Sequence, residues 1–186
     1  ISDWPANGAS FNLRYNADTN SLQLELLIND EYETISYALS NEDFDVWNYI
    51  SFTYDGNSMN LYFNDNVVID NSVVQNGSID NSSTGLIYVG NEQNNPAFFE
   101  GYLDDVSIWN TALSQEEIQQ YINCPPIGDE EGLVGYNNFE EGLELGEVLD
   151  LSGNGNNGTI NNALYSEDVP EQNCSNNSVL EIDGFS

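Results

Sequence analysis

The chain has 186 residues, with 32 acidic side chains and 1 basic side chain, so its formal net charge is -31. The basic residue is Arg14, and the sequence contains neither Lys nor His. Binding to nucleic-acid phosphates is excluded, because it depends on basic side chains that displace counterions, and anionic lipid surfaces would repel the chain. Triads built on His and Schiff bases built on Lys are excluded as well. The partners that remain are cations such as Ca²⁺, neutral sugars and proteins, while most of the acids have the character of a hydrated surface.

Alternation of apolar and polar residues predicts β-strands in the N-terminal part of the chain. Phe11, Leu13 and Tyr15 occupy every second position, which is the period of a strand with one buried face. The same period returns over residues 22–28, where the apolar residues are Leu and Ile. Asn29-Asp30 follows as a turn signal, so residues 32–39 are expected to form the second arm of a hairpin.

Further short strands are expected up to residue 109. The strongest is Trp47–Tyr54, which is rich in aromatic and β-branched residues, and the hairpin turn Asp55-Gly56-Asn57 follows it. A second turn is expected at residues 64–66. The other expected strands are Met59–Phe63, Val67–Ile69, Leu86–Val89 and Phe98–Trp109. Many short strands at nearly regular spacing predict an all-β sandwich or barrel.

One short helix is expected after the last of these strands. Ser114 can cap it, because Ser followed three residues later by Glu117 is a capping-box pattern. Four apolar residues then share one helix face, which would pack on the strands. They are Leu113, Ile118, Tyr121 and Ile122.

Residues 47–122 carry a series of motifs in a defined order. Trp47-x-x-Ile50-x-Phe52-x-Tyr54-Asp55-Gly56 is followed by Leu61-Tyr62-Phe63-Asn64, by Leu86-Ile-Tyr-Val-Gly90 and by Phe99-Glu-Gly-Tyr-Leu-Asp104. In order and spacing the series resembles the later strands of laminin-G-like domains, in the concanavalin A-like (pentraxin-like) superfamily. The strand, turn and helix of residues 101–122 are similar to the closing segment of those domains. The resemblance implies an antiparallel jelly-roll β-sandwich with one short helix, used outside the cell as a binding module.

A second set of motifs follows a linker of Pro, Gly and acids at residues 124–131. Gly132-Leu-Val-Gly-Tyr136 resembles the opening strand of a laminin-G-like domain, and Val179-Leu-Glu-Ile-Asp-Gly184 resembles another of its strands. The rear part of the domain (residues 1–123) therefore comes before a front-type segment (residues 132–186). That segment is expected either to complete the same sandwich or to begin the next domain of a tandem array in a longer exported protein. The first arrangement is favoured, because a half-domain would leave bare sheet edges.

Cys124 and Cys174 are the two cysteines, and both stand among polar residues. An even pair in a chain with the features of an exported protein predicts a disulfide; two free surface thiols are the alternative. The sequence has no stretch that approaches the roughly 20 apolar residues of a membrane span. The expected disulfide and the resemblance to an extracellular module together favour a secreted or cell-surface location.

A calcium site is expected where two acidic motifs of the family meet. Asp150-Leu-Ser-Gly-Asn-Gly-Asn-Asn-Gly-Thr159 resembles a family loop, and its Asp150, Asn154 and Asn157 offer the oxygen ligands that Ca²⁺ takes. The resemblance places the acid of the strand motif nearby, with Asp104 as the first candidate and Asp105 as the second. Only one of the two would serve, since adjacent strand residues point to opposite faces. The alternative is a turn that is held by its own hydrogen bonds.

The expected function is a calcium-assisted carbohydrate- or glycoprotein-binding adhesion module, with Trp4 as the surface aromatic that could stack on a sugar. A structural spacer or filament repeat, which would contact copies of itself or neighbouring repeats, is the alternative. A glycoside hydrolase is less favoured, because such enzymes align carboxylates on one strand face. Here Glu181 and Asp183 match that pattern, but the third carboxylate is missing. The chain is therefore expected not to be an enzyme.

Overall fold

The computed structural model describes residues 10–73, 76–80, 86–91, 98–140, 146–172 and 174. Trp4, Glu181 and Asp183 lie outside these residues.

The first sheet is antiparallel and contains β1 (Phe11–Asn16), β2 (Ser21–Ile28) and β3 (Glu31–Ala38) in that order. Ile28 pairs with Glu31, so Asn29 and Asp30 form a two-residue hairpin turn. Both turn residues have positive φ, +51° and +64°, as the favoured hairpin turn requires. The hairpin predicted from the Leu/Ile alternation is therefore confirmed.

The second sheet has the order β4 (Ile50–Tyr54), β5 (Ser58–Phe63) and β6 (Asn66–Val73), again antiparallel. The β4–β5 turn is held by Asp55, whose Oδ1 accepts the backbone N–H groups of Asn57 at 2.9 Å and Ser58 at 2.8 Å. These hydrogen bonds lower the pKa of the Asp55 carboxyl. The strand predicted from Trp47 begins only at Ile50.

The apolar faces of these two sheets form one core, which makes the fold a β-sandwich. Its buried members come from both sheets and are Leu22, Leu24, Leu26, Ile28, Ile35, Met59, Leu61 and Phe63. Full burial of one such side chain contributes about 1.5–3 kcal/mol. On the outer face of the first sheet, Arg14 forms an ion pair with Glu25 at 3.0 Å.

The described residues after position 131 contact the first part of the chain through one pair of strands. β7 (Val106–Trp109) pairs antiparallel with β8 (Leu133–Asn137). Between them lies α1 (Gln115–Asn123), whose Ser114–Glu117 capping box is formed as predicted. Ile118 of α1 is buried, and the Tyr121 ring lies 5.1 Å from that of Trp109. Two short strands, β9 (Glu147–Val148) and β10 (Gly158–Thr159), pair with each other.

Two strand predictions were wrong in extent. Residues 86–89 form no extended strand, and the strand expected over 98–109 begins at Val106. Asp105, directly before β7, has φ +48°, a left-handed conformation that an extended strand does not adopt. Asp104 and Asp105 therefore precede the strand, and the argument that their side chains alternate across it does not apply.

Candidate functional site

Tyr136 of β8 joins the two acidic motifs. Its hydroxyl donates to Oδ1 of Asp105 at 2.6 Å, and its backbone N–H donates to Oδ1 of Asp150 at 3.0 Å. The first acid stands at the entry of β7 and the second in the loop after β9. The site therefore depends on the β7–β8 pairing, which sets Tyr136 opposite Ser107.

The loop that begins at Asp150 is closed by its own hydrogen bonds. Asp150 accepts the backbone N–H groups of Ser152 at 3.0 Å and Asn156 at 2.8 Å, and its own N–H donates to Oδ1 of Asn157 at 3.0 Å. The Asn154 side-chain amide donates to the Val134 carbonyl at 3.2 Å. The loop is therefore held by its own hydrogen bonds and by a bond to β8. Such a self-bonded turn is the alternative to a calcium site in the sequence-based prediction.

We call Asp104, Asp105, Tyr136 and the loop that begins at Asp150 the junction. Burial and neighbouring charges shift several pKa values at this junction. Burial, then the neighbouring carboxylate of Asp105, and then that of Glu140 raise the pKa of Asp104 to about 6, against the hydrogen bond from the Asp105 N–H. Burial and the charge of Asp105 raise the pKa of Tyr49 to about 12. Burial and the hydrogen bond to Asp105 also raise the pKa of Tyr136.

Asp150 has the opposite shift. Burial raises the pKa of its carboxyl, but hydrogen bonds from Ser152 and from backbone N–H groups outweigh the burial, so the pKa lies below its usual value. Asp150 is therefore the acid of this junction whose charge is best satisfied, and Asp104 is the acid whose charge is most opposed.

The late part of the chain contacts the site through Gln172, whose side-chain amide donates to Oδ2 of Asp105 at 2.8 Å. The late part also contacts the region before β4, where the Trp47 indole N–H donates to Asp168 at 3.4 Å. Cys124 and Cys174 form a disulfide with their Cα atoms 4.7 Å apart, which confirms the predicted pairing. Gly128 packs against the Asp150 loop so closely that a Cβ there would clash with the Leu151 carbonyl oxygen.

In donor chemistry the junction fits a hard cation, because its carboxylates and amides offer oxygen ligands. The acids are not gathered into a cage: within the described residues no three Asp, Glu, His or Cys side chains are placed to hold a metal ion. Both oxygens of Asp105 and of Asp150 already accept hydrogen bonds. The Asp104 carboxylate accepts one hydrogen bond, from the Asp105 N–H at 2.9 Å, and burial followed by the Asp105 charge raises its pKa.

The sequence predicted Asp150, Asn154 and Asn157 as calcium ligands, together with Asp104 or, as the second candidate, Asp105. The structure links Asp105 to Asp150 through one tyrosine, while Asn154 bonds to the β8 backbone. Trp4 lies outside the described residues. Sequence reasoning missed Tyr136 and Gln172 as partners of the acids; the apolar run Leu133-Val-Gly-Tyr136 could have marked the tyrosine as buried, but nothing marked Gln172.

The fold and this junction define an all-β, disulfide-closed sandwich domain. The family model described as the concanavalin A-like lectin/glucanases superfamily, of laminin-G type, matches residues 1–119, and the chain belongs to that family. No curated protein shows significant similarity to the chain. Among solved structures, residues 221–444 of an S-layer domain-containing protein from Clostridium thermocellum ATCC 27405 match with 18% identity and a TM-score of 0.35. That match covers 66% of this chain and 68% of the other.

Proposed function

We propose that the chain is a non-catalytic, extracellular module that binds glycans or glycoproteins as part of a larger surface protein. The observation that carries this proposal is membership of a lectin-containing superfamily over residues 1–119. The disulfide agrees with an oxidising, extracellular environment. Within the described residues no helix has the length and apolar character that crossing a membrane requires.

A glycan array tests the binding role, with Trp4→Ala as the variant and Phe98→Ala as the matched control. We expect defined glycans to be retained by the wild type and by the control, whose Phe98 is 67% exposed. Loss of a stacking aromatic should weaken binding by about 1–3 kcal/mol, the scale of burying a large aromatic face. An array without any binding would contradict the proposal, and equal binding by Trp4→Ala would remove Trp4 from the site.

Calcium assistance is the finer part of the same proposal. It is supported by the oxygen-rich junction and by the opposed charge of Asp104, which a cation would relieve. For a weak extracellular site with a Kd of about 0.5 mM, about 5 mM Ca²⁺ should stabilise the fold by roughly 1.4 kcal/mol.

Melting of EDTA-treated protein with and without Ca²⁺ measures this effect. Asp104→Asn should reduce the calcium-induced rise in Tm, whereas Asp18→Asn, which removes an equal charge from the β1–β2 turn, should keep it. A wild-type Tm that does not respond to Ca²⁺ would exclude the metal site.

A spacer that associates with other protein surfaces is the second candidate. It is favoured by exposed apolar side chains in residues 86–91 and 98–103, among which Leu86 is 56% exposed and Phe99 is 49% exposed. Exposed apolar surface of this kind marks interaction sites. Sedimentation of the full chain over a range of concentrations measures self-association; a monomer at all concentrations, together with specific glycan binding, would reject the spacer role.

A further inference from the structure

A cleft of about 350 Å³ lies between the tip of the β5–β6 hairpin and the last turn of α1. It is lined by Asp65 from the hairpin and by Gln119, Ile122 and Asn123 from the helix. The cleft is formed by other residues than Tyr136 and the acids of the β7–β8 junction. We propose that it binds the Lys or Arg side chain of a partner polypeptide.

Local hydrogen bonds hold both walls in place. At the hairpin tip, the Asn64 backbone N–H donates to the Tyr49 carbonyl at 2.8 Å, and the Tyr49 backbone N–H donates to Oδ1 of Asn64 at 2.9 Å. The Gln119 side-chain amide donates to the backbone carbonyl of Asp65 at 3.3 Å, which fastens the helix to the hairpin. The backbone from which the Asp65 side chain extends is therefore held beside α1.

The cleft offers hydrogen-bond acceptors. The NH₂ groups of Gln119 and Asn123 each donate one of their two N–H groups, to the backbone carbonyls of Asp65 and Gln119, the second at 2.9 Å. Their amide oxygens and the exposed Asp65 carboxylate have no donor among the described residues. An ammonium or guanidinium group carries donors and no acceptor, so it complements this set.

Charge favours the same occupant. The C-terminal end of a helix carries partial negative charge, and the last turn of α1 contains no basic residue to offset it. The net charge of -31 attracts cations over a longer range. Ile122 provides an apolar wall for the aliphatic stem of Lys or Arg, whose charged head stays at the polar groups.

Other occupants fit less well. A metal ion prefers a compact cage of six to eight oxygens, whereas this open cleft has one carboxylate among its lining residues. A sugar would find no aromatic ring in that lining. A second copy of the chain could supply only Arg14, which is bound to Glu25. The partner is therefore a different, basic polypeptide.

Titration of ¹⁵N-labelled full chain at low ionic strength tests the proposal, with Nα-acetyl-lysinamide as the probe and Nα-acetyl-norleucinamide as its uncharged counterpart. We expect the lysine probe alone to shift the side-chain amide signals of Gln119 and Asn123. Asp65→Asn should weaken its binding at least fivefold. Asp18→Asn, with the same change in net charge, should weaken it less than twofold.

Three results would overturn the proposal: equal weakening by both variants, equal shifts with the norleucine probe, or shifts at the same amides with a neutral methyl glycoside. Asp65 is exposed and its carboxylate has no bond to lose, so Asp65→Asn should keep the wild-type Tm. Glycan retention on the array should be unchanged by Asp65→Asn, because the two binding functions are separate.

Discussion

Tyr136 shows how one residue can position two acids. Its side chain is 3% exposed, its hydroxyl bonds to Asp105, and its backbone N–H bonds to Asp150. A hydrogen bond to a charged group contributes more than one between neutral groups, and its loss leaves a partly buried charge with fewer donors. The phenol is therefore expected to stabilise the whole junction.

Tyr136→Phe should lower the free energy of unfolding by about 1.5–3 kcal/mol, the range for hydrogen bonds to charged groups. Urea denaturation measures the change. Tyr121→Phe is the matched control, because no hydrogen bond of its hydroxyl is found in the described part of the chain. Equal effects of the two substitutions would show that the bond to Asp105 contributes nothing.

Asp104 should make stability depend on pH in a defined direction. Its pKa of about 6 in the folded chain exceeds the ordinary 3.8. Between these values the folded state binds more protons than the unfolded state, so the contribution of Asp104 to stability is present below about pH 4 and is lost as the pH rises through about 6.

Asp104→Asn in metal-free buffer should therefore raise Tm at pH 7 more than at pH 4. Its amide oxygen can still accept the Asp105 N–H. Melting curves at a series of pH values measure the difference, with Asp18→Asn as the charge-matched control. A Tm gain that is the same at pH 4 and pH 7 would contradict the cause assigned to the raised pKa.

At the scale of elements, α1 is fixed by local chemistry. Ser114 and Glu117 exchange hydrogen bonds with each other's backbone N–H groups at 3.3 Å and 2.7 Å. These bonds satisfy two of the N–H groups that every helix start leaves free. The bonds to Ser114 also lower the pKa of the Glu117 carboxyl.

Ser114→Ala should lower the free energy of unfolding by about 1 kcal/mol, the usual effect of losing an N-cap. Chemical denaturation measures it. Ser36→Ala, at an exposed position of β3 that is not part of a cap, serves as the control and should change stability by less than about 0.5 kcal/mol. A loss of similar size in both variants would argue against a role for the cap.

The elements that the sequence predicted well are those with local signals. The Asn29-Asp30 turn and the Ser114 cap are specified by residues that lie close together in the sequence, and the structure confirms both. The β7–β8 pairing joins residues 106 and 137, and no short-range pattern specifies such a distant partner. For the same reason Tyr136 and Gln172 could not be assigned to Asp105 from the sequence.

At the scale of the whole molecule, the late segment is attached at several separate points. β8 pairs with β7, Gln172 bonds to Asp105, and the disulfide joins Cys124 to Cys174. These contacts hold the described part of the late segment against the first part of the chain; whether residues 132–186 complete the same sandwich or begin the next domain stays a prediction. The disulfide is the covalent part of this attachment.

Reduction of the disulfide should lower the free energy of unfolding by about 4 kcal/mol, from the loop-closure entropy of a cross-link with a sequence separation of 50 residues. Denaturation with and without a reductant measures the loss. The double variant Cys124→Ser/Cys174→Ser should resemble the reduced wild type and show no response to the reductant. An oxidised protein as unstable as the double variant would contradict this account.

The same cross-link has a mechanical consequence. If the chain is pulled from positions on either side of the bond, tension passes through the two sulfur atoms and bypasses the residues between them. The cross-linked cysteines are 50 residues apart in the sequence. At about 3.4 Å per extended residue, roughly 170 Å of chain therefore cannot extend under the force. The Asp150 loop, Tyr136 and the β9–β10 pair all lie inside this shielded length, so a force that unravels the first sandwich would not stretch them.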